Sequence, residues 1–364
     1  MSPVTWQVHQ GLQAVAALSH AWRWLYEQVP AATPFSSPEW ALSWLRHYVP
    51  THAPVLVTVH RDGQLLALAP LYRHRVGPVR LLGLAGEGIS DYLDVLVHPA
   101  ADAAVTDALA DGLRGVPRWD VLALRQLPHD GPGVRLLDTW SGGASKRPDI
   151  SCGVLRVGPA TTLRDLAASR RASSLAKIDQ KQRRAMAYGL RHHVTEQVAA
   201  ADVRNLLDVH RRRWSGRGIS PEHESGRFAR HLEEAVPALA RLDEAVLYQV
   251  RSPEALVAAR LLLARPGWLG DYLYGMEPAA MATPGLDLNV TLMASAMEIA
   301  RDRTVTTFDF LRGDYPHKQM WAPTRVDTVR VELGRGPLTW WLYRAVAGLR
   351  RAPRALRARR VTAA

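Results

Sequence analysis

A chain of 364 residues suggests about two domains of ordinary size, because single cores seldom grow beyond about 250 residues. Hydrophobic residues at 47% and charged residues at 22% fit a folded globular body and exclude a disordered chain or a membrane channel. The net charge of +12 is unevenly placed, since Arg335, Arg344, Arg350, Arg351, Arg354, Arg357, Arg359 and Arg360 all follow the last acidic residue, Glu332, leaving the body far closer to neutral.

The opening residues, MSPVTWQVHQ and onward, read as helical. They have no basic leader and no unbroken apolar run, so neither a signal peptide nor an anchor is expected, and a cytoplasmic location follows. In PFSSPEWALSWLRHY, Ser36 or Ser37 caps a helix opened by Pro38 and Glu39. PVLVTVHRDGQLLALAPLYRH reads as two strands joined by the hairpin residues Arg61, Asp62 and Gly63. A strand, a glycine-rich turn and another strand follow, then a helix near 101–115 and the strand WDVLALRQL. Between Asp130 and Pro148 the chain is rich in Gly, Asp, Ser and Pro, which sets domains at 1–147 and 148–335 and a basic tail at 336–364.

The second half begins with a short strand, CGVLRV, whose Cys152, the single cysteine, rules out an intramolecular disulfide and reads as a small buried hydrophobe. A long basic helix starts at Thr161 or Thr162 and ends at Gly189. After the strand RHHVTEQV come the helices VRNLLDVHRRRWSGRG and GRFARHLEEAVPAL, then three strands, AVLYQVR, ALVAARLLLA and WLGDYLYGM. The turn AMATPG, the amphipathic helix LDLNVTLMASAMEIARDR and the strand TTFDFLRGD complete the series.

Two segments carry chemistry. The turn ending at Thr283, Pro284 and Gly285 precedes a helix whose free amides and dipole suit a pyrophosphate, although an ordinary helix start has the same composition. From Phe308 to Trp321, ionisable side chains crowd a strand end beside aromatics, as in a cleft; a surface ion-pair loop is the plainer alternative. Other chemistries fall away. His223-Glu224 lacks the second histidine of a zinc protease, Arg227 standing there, and His192 and His193 point to opposite faces of a strand, so no metal site is expected.

In its order of elements, and in PFSSPEWALSW, LAPLY, SDYLDVLV, DVHRRRWSGRG, the Thr283-Pro284-Gly285 turn and FDFLRGD followed by Lys318 and Trp321, the chain resembles the CelD-type acetyltransferase family, related to the Fem-type peptidoglycan aminoacyltransferases. The resemblance implies a mixed α+β fold of two tandem GNAT-like (acyl-CoA N-acyltransferase) domains, each a mostly antiparallel sheet flanked by helices. The second would bind the acyl donor, acetyl-CoA, and a degenerate first would serve the acceptor, an amine or hydroxyl of a bacterial cell-envelope or polysaccharide type. Thr283, Pro284, Gly285 and Leu286 would then hold the donor pyrophosphate, with Arg312, Gly313 and Lys318 completing the donor site.

The family's closing motif has a tyrosine before the lysine, where this chain has His317, with Tyr315 two residues earlier. His317 is accordingly the first candidate for acid or base, with Asp309, Asp314 and Tyr315 as its catalytic companions. Two alternatives stand beside acetyl transfer: aminoacyl transfer from aminoacyl-tRNA, and a catalytically inactive binding module. Nucleic acid is otherwise not expected as a partner. In the tail, Leu338, Trp341, Leu342, Ala345, Val346 and Leu349 share one helical face, which suits either an anionic membrane surface or packing on the body.

Overall fold

The computed structural model describes residues 2–158, 161, 163, 178–216, 218, 220–313, 321 and 324–347. The chain divides into two compact units, one made of residues up to Ile150 together with those from Asp327 onward, the other of Ser151–Val326.

The first unit contains strand β1 (Val4–Gln10), helices α1 (Leu12–Ala16), α2 (Ser19–Gln28) and α3 (Pro38–Tyr48), and strands β2 (Pro54–Arg61), β3 (Gln64–Val76), β4 (Val79–Leu84) and β5 (Leu96–Val97). Helix α4 (Ala103–Gly115), strand β6 (Val121–Pro128), helix α5 (Pro132–Thr139) and the start of strand β7 (Ala144–Arg156) follow. Local chemistry sets several boundaries. Ser37 caps α3 by accepting from the Trp40 amide at 3.2 Å, with Pro38 in the first turn. Asp62 and Gly63, at φ of 52° and 77°, make the tight turn between β2 and β3.

The second unit contains the end of β7, helix α6 (Ile178–Ala187), strand β8 (Arg191–Val194), helices α7 (Ala200–Trp214) and α8 (Gly226–Arg241), and strands β9 (Ala245–Arg251), β10 (Leu256–Arg265) and β11 (Trp268–Met276). A short helix α9 (Pro278–Met281), helix α10 (Leu288–Asp302), strand β12 (Thr307–Arg312) and the start of strand β13 (Thr324–Gly334) complete it.

One architecture is built twice. In the first unit β1, β2, β3 and β4 pair antiparallel in turn, β4 pairs parallel with β6 across α4, and β6 pairs antiparallel with β13. The second unit repeats the pattern: β8 to β11 antiparallel, β11 parallel to β12 across α10, and β12 antiparallel to β7. Its core is a layer of apolar side chains between α10 and the sheet, among them Leu292, Met293, Ala296, Leu262, Met276, Phe308 and Phe310.

Three sequence expectations change. The opening residues form β1, where Val4, Trp6 and Val8 alternate with polar neighbours, a period of two that pairs them along β2. Within the Gly- and Pro-rich stretch from 130 to 148, Pro132 opens α5 and β7 is already under way at Ala144. The tail is helical over 337–347, but it packs on the first unit through Trp340, Tyr343 and Ala347, not through the face containing Trp341. Residues 162 and 164–177 of the expected long basic helix lie outside the described residues; Ile178–Ala187 is helical, and Gly189 follows at φ 68°.

Candidate functional site

Strands β11 and β12 run parallel, yet only Trp268–Gly270 is in register with Thr307–Asp309. β11 then continues to Met276 without further pairing to β12 among the described residues. A bulge contributes to the parting: the register of β12 with β7 shifts between Asp309 and Arg312, and Leu311 adopts φ 57°. The buried Asp309 holds that bend, its Oδ1 accepting the Leu311 amide at 2.7 Å. Phe308 and Phe310 enter the core beneath α10, so Asp309 faces the opposite side of the strand. Diverging parallel strands leave a slot at their carboxyl ends, the edge where ligands bind in such sheets.

The turn that follows β11 lies at the same edge. Pro284 is exposed and Gly285 has φ 82°, a left-handed conformation that favours glycine. Tyr188 Oη donates to the Pro284 carbonyl at 2.8 Å, and a Cβ added to Gly285 would stand 3.0 Å from Arg184 Nη1. Arg184, Ala187, Tyr188, Pro284 and Gly285 line an open hollow, and Arg184 has no carboxylate partner among the described residues. Thr283 Oγ1 donates to the Ala279 carbonyl at 3.4 Å, while the Leu286 side chain packs on the core.

The start of α10 differs from the open anion site that the sequence suggested. Asp287 caps the helix by accepting the Val290 amide at 3.2 Å, and its other oxygen pairs with Lys181 at 2.7 Å. The cap is neutralised by Lys181, which leaves Arg184 as the cation beside Gly285.

A second constellation lies on the α7 side of the sheet. Helix α7 rests directly on β11, because a Cβ at Gly275 would come within 2.6 Å of the Val209 carbonyl carbon and collide with the His210 amide. That close approach brings His210 Nδ1 to 2.7 Å from the Tyr274 carbonyl, and His210 Nε2 to 3.2 Å from His223 Nδ1. A carbonyl can only accept, so His210 Nδ1 carries its proton. Burial pushes both histidines down to about 4, so both are neutral near pH 7. The neutral His210 therefore accepts at Nε2, His223 donates from Nδ1, and the lone pair of the pair resides on His223 Nε2, which has no hydrogen-bond partner among the described residues.

His223 stacks on Phe228 with ring centroids 4.6 Å apart, and after burial the charge of Arg312 is the next cause opposing its protonation, with Glu222 acting in the other direction. In the sequence, His223 stands only in a zinc-protease-like start without the second histidine, Arg227 holding that position. A signal was present at His210, which falls in step with Val203, Leu206 and Leu207 on the buried face of α7.

Asp309, Arg312 and Gly313 thus lie at the end of β12, and Thr283, Pro284, Gly285 and Leu286 in the turn at the same edge. Asp314, Tyr315, His317 and Lys318 lie outside the described residues. A more capacious hollow, of about 710 Å³, lies in the first unit. It is lined by Asp94, Asp102, Asp107, Asp130 and Asp138 against Arg135 and His98, a balance unsuited to an anionic ligand. Asp94 there is pushed up to about 7 by burial, against the amides of Gly133 and Val95, which donate to Oδ1.

Residues 170–319 match the family model described as an acetyltransferase (GNAT) domain. Among solved structures, FemX is similar with a TM-score of 0.64 and 12% identity, over 90% of this chain and 98% of that one. A conserved protein of unknown function from Bacteroides thetaiotaomicron aligns with a TM-score of 0.54 and 11% identity, over 92% and 100% of the two chains. L-PGS from Bacillus licheniformis aligns with a TM-score of 0.50 and 12% identity, over 78% and 85%. Identities this low establish a shared fold. No curated protein matches the sequence.

Proposed function

We propose, from the match of residues 170–319 to the acetyltransferase (GNAT) domain model, that the protein transfers an acyl group, acetyl from acetyl-CoA, to an amine or hydroxyl of a cell-envelope or polysaccharide-type acceptor. The observation that supports this reading best is the parting of β11 from β12 after Gly270 and Asp309, with the Arg184-lined turn at the carboxyl edge on which the two strands end. The finer kinship, with CelD-type enzymes, rests on the sequence segments quoted for it.

A CoA thioester supplies an activated acyl carbon and a pyrophosphate. Gly285 admits the phosphates to the backbone and Arg184 neutralises them, with Arg312 and Lys318 as further cations. Backbone amides of β11 beyond Gly270, unpaired with β12, face the charge that develops on the thioester oxygen. His223 Nε2 takes the proton from the acceptor as its heteroatom bonds to the acyl carbon and the carbon–sulfur bond breaks; the proton then passes to the departing thiolate. A ring with so low a proton affinity is a weak base, and the bond to His210, anchored on the Tyr274 carbonyl, stabilises the cation as it forms. His317 is the second candidate for this proton, with Asp309, Asp314 and Tyr315 orienting the acceptor. The acidic hollow in the first unit suits an acceptor-side role better than a donor site.

A second reading rests on the sequence resemblance to the Fem-type aminoacyltransferases, with the fold shared with FemX beside it: the same slot would take the ester of an aminoacyl-tRNA. Melting temperatures in acetyl-CoA, CoA or aminoacyl-tRNA separate the two. Saturation at about 100 times Kd adds about 2.7 kcal/mol, a rise of roughly 5–10 °C for a domain of this size. Acetyl-CoA and CoA should both raise the melting temperature, and Arg184→Ala should abolish the rise. A response to aminoacyl-tRNA alone favours the second reading, and no response to any of the three removes both.

A further inference from the structure

The helix over 337–347 is fixed to the first unit by one face. Trp340 lies over the bare backbone of Gly143 and Gly334, its Cβ 3.0 Å from where a Gly334 side chain would begin. Tyr343 Oη donates to the buried Glu332 at 2.7 Å, and Trp340 and Ala347 pack against the buried cluster that Tyr343 forms with Val79, Leu81 and Val121. These contacts fix the rotation of the helix about its axis, and with it the side that remains outward.

That side is apolar. Leu338 is 85% exposed, Trp341 71% and Leu342 47%. With the exposed Ala345 they stand at positions i, i+3, i+4 and i+7, a continuous stripe along the helix. Single exposed leucines are ordinary on a protein surface, but a tryptophan between two leucines in helical register is a contact surface. Arg335 is held on the body, over the Trp119 ring and donating to the Val116 carbonyl, whereas Arg344 is exposed beside the stripe, 5.8 Å from the Trp340 ring; the sequence continues into the arginine run that begins at Arg350, and no acidic residue occurs after Glu332.

We propose that the helix over 337–347 docks this protein on an anionic lipid bilayer, Leu338, Trp341 and Leu342 entering the acyl boundary while the arginines meet the lipid phosphates. Charge decides among occupants of the stripe. A second copy would bring the same arginines face to face, whereas a bilayer with anionic headgroups supplies the complementary sign. Tryptophan suits the headgroup level, where its ring is buried and its N–H stays wet. Among the described residues no helix is long and apolar enough to cross a membrane, so the contact is with one leaflet. The proposal does not depend on the acyl-transfer reading.

The test is co-sedimentation of the full chain with vesicles of phosphatidylcholine containing about 30% phosphatidylglycerol, against phosphatidylcholine alone. Binding to the anionic vesicles should exceed that to the neutral ones by about tenfold or more. It should weaken as salt rises from about 0.1 M to about 1 M, which shortens the screening length from about 10 Å to about 3 Å. The double variant L338E/W341E, changed only at exposed positions, should keep its melting temperature and lose the binding. Absence of binding to anionic vesicles overturns the proposal. So does undiminished binding of the double variant, since charge alone would then carry it, and so does a dimer by light scattering that the double variant dissociates, since a second copy would then occupy the stripe.

Discussion

His210 and His223 make the site sensitive to acid in two separable ways. Folding lowers both rings from the ordinary 6.5 to about 4 through burial, with Arg211 acting on His210, Arg312 on His223 and Glu222 opposing. Between those values the unfolded chain binds more protons than the folded one, so the stability of the neutral pair is complete above about pH 6.5 and falls as pH drops through 6.5 towards 4. Below about 4 both states are protonated and the loss ends. His74, also pushed down to about 4 by burial, acts in the same direction. A flatter fall in urea midpoint between pH 7 and pH 5 in a His210→Gln/His223→Gln variant therefore isolates the pair; an unchanged slope means that the rings are not buried neutral. Catalysis reports the same group differently. With His223 as base, kcat/KM should keep its value down to about pH 5 and fall with a midpoint near 4, whereas a midpoint near 6.5 removes His223 from that role. His223→Gln, which can still donate to His210 but cannot take a proton, should lower kcat about 100-fold or more with little change in melting temperature.

At the scale of elements, two glycines set what the site can hold. Gly275 lets α7 lie against β11, and Gly275→Ala would drive a methyl into the backbone of Val209 and His210, costing about 1–3 kcal/mol and moving His210 off the Tyr274 carbonyl. Gly285→Ala instead strains a residue at φ 82° and crowds Arg184, costing about 1–2 kcal/mol. The first change should lower kcat and leave the KM for acetyl-CoA in place, and the second should raise that KM with kcat retained; steady-state kinetics in both substrates checks the split, and the reverse pattern would exchange the two roles. The elements themselves were largely legible. Ser37 with Pro38, the Asp62-Gly63 turn and the periodicity of Leu292, Met293, Ala296 and Ile299 announced α3, the first hairpin and α10. Composition hid the first part of β7, ahead of the strand read at Cys152, because the glycines that look like linker before it, Gly142 and Gly143, are small to admit the Gly334 backbone and the Trp340 ring. The turn at Gly285 was visible for the same reason as any turn. The histidine pair was not: His210 and His223 are 13 residues apart, and the carbonyl that anchors His210 lies 64 residues away in Tyr274, relations that no local pattern records.

At the scale of the whole molecule, each unit is completed by a strand from a distant part of the chain. Residues up to Ile150 supply five of the strands in the first unit's paired series, but the partner of β6 is β13, reached only after the second unit has been traversed. β13 does more than satisfy an edge. It pairs with β6 from Thr328 to Gly334 and buries Val329, Val331 and Leu333. Burying side chains of this kind contributes about 1.5–3 kcal/mol each, so the three together are comparable to the roughly 5–15 kcal/mol by which a whole domain is stable. The open edge of β6 would add unpaired amides to that loss. A fragment of residues 1–147 should therefore lack a cooperative urea transition by circular dichroism, although it contains β1 to β6 and every helix between them. Adding a peptide of residues 324–347, which carries β13 and the helix that Trp340 and Tyr343 anchor, should restore a sigmoidal transition. Cooperative unfolding of 1–147 alone, with an m value appropriate to its length, would show that the first unit closes without β13 and that the strand from the far side of the chain is an addition to a finished fold.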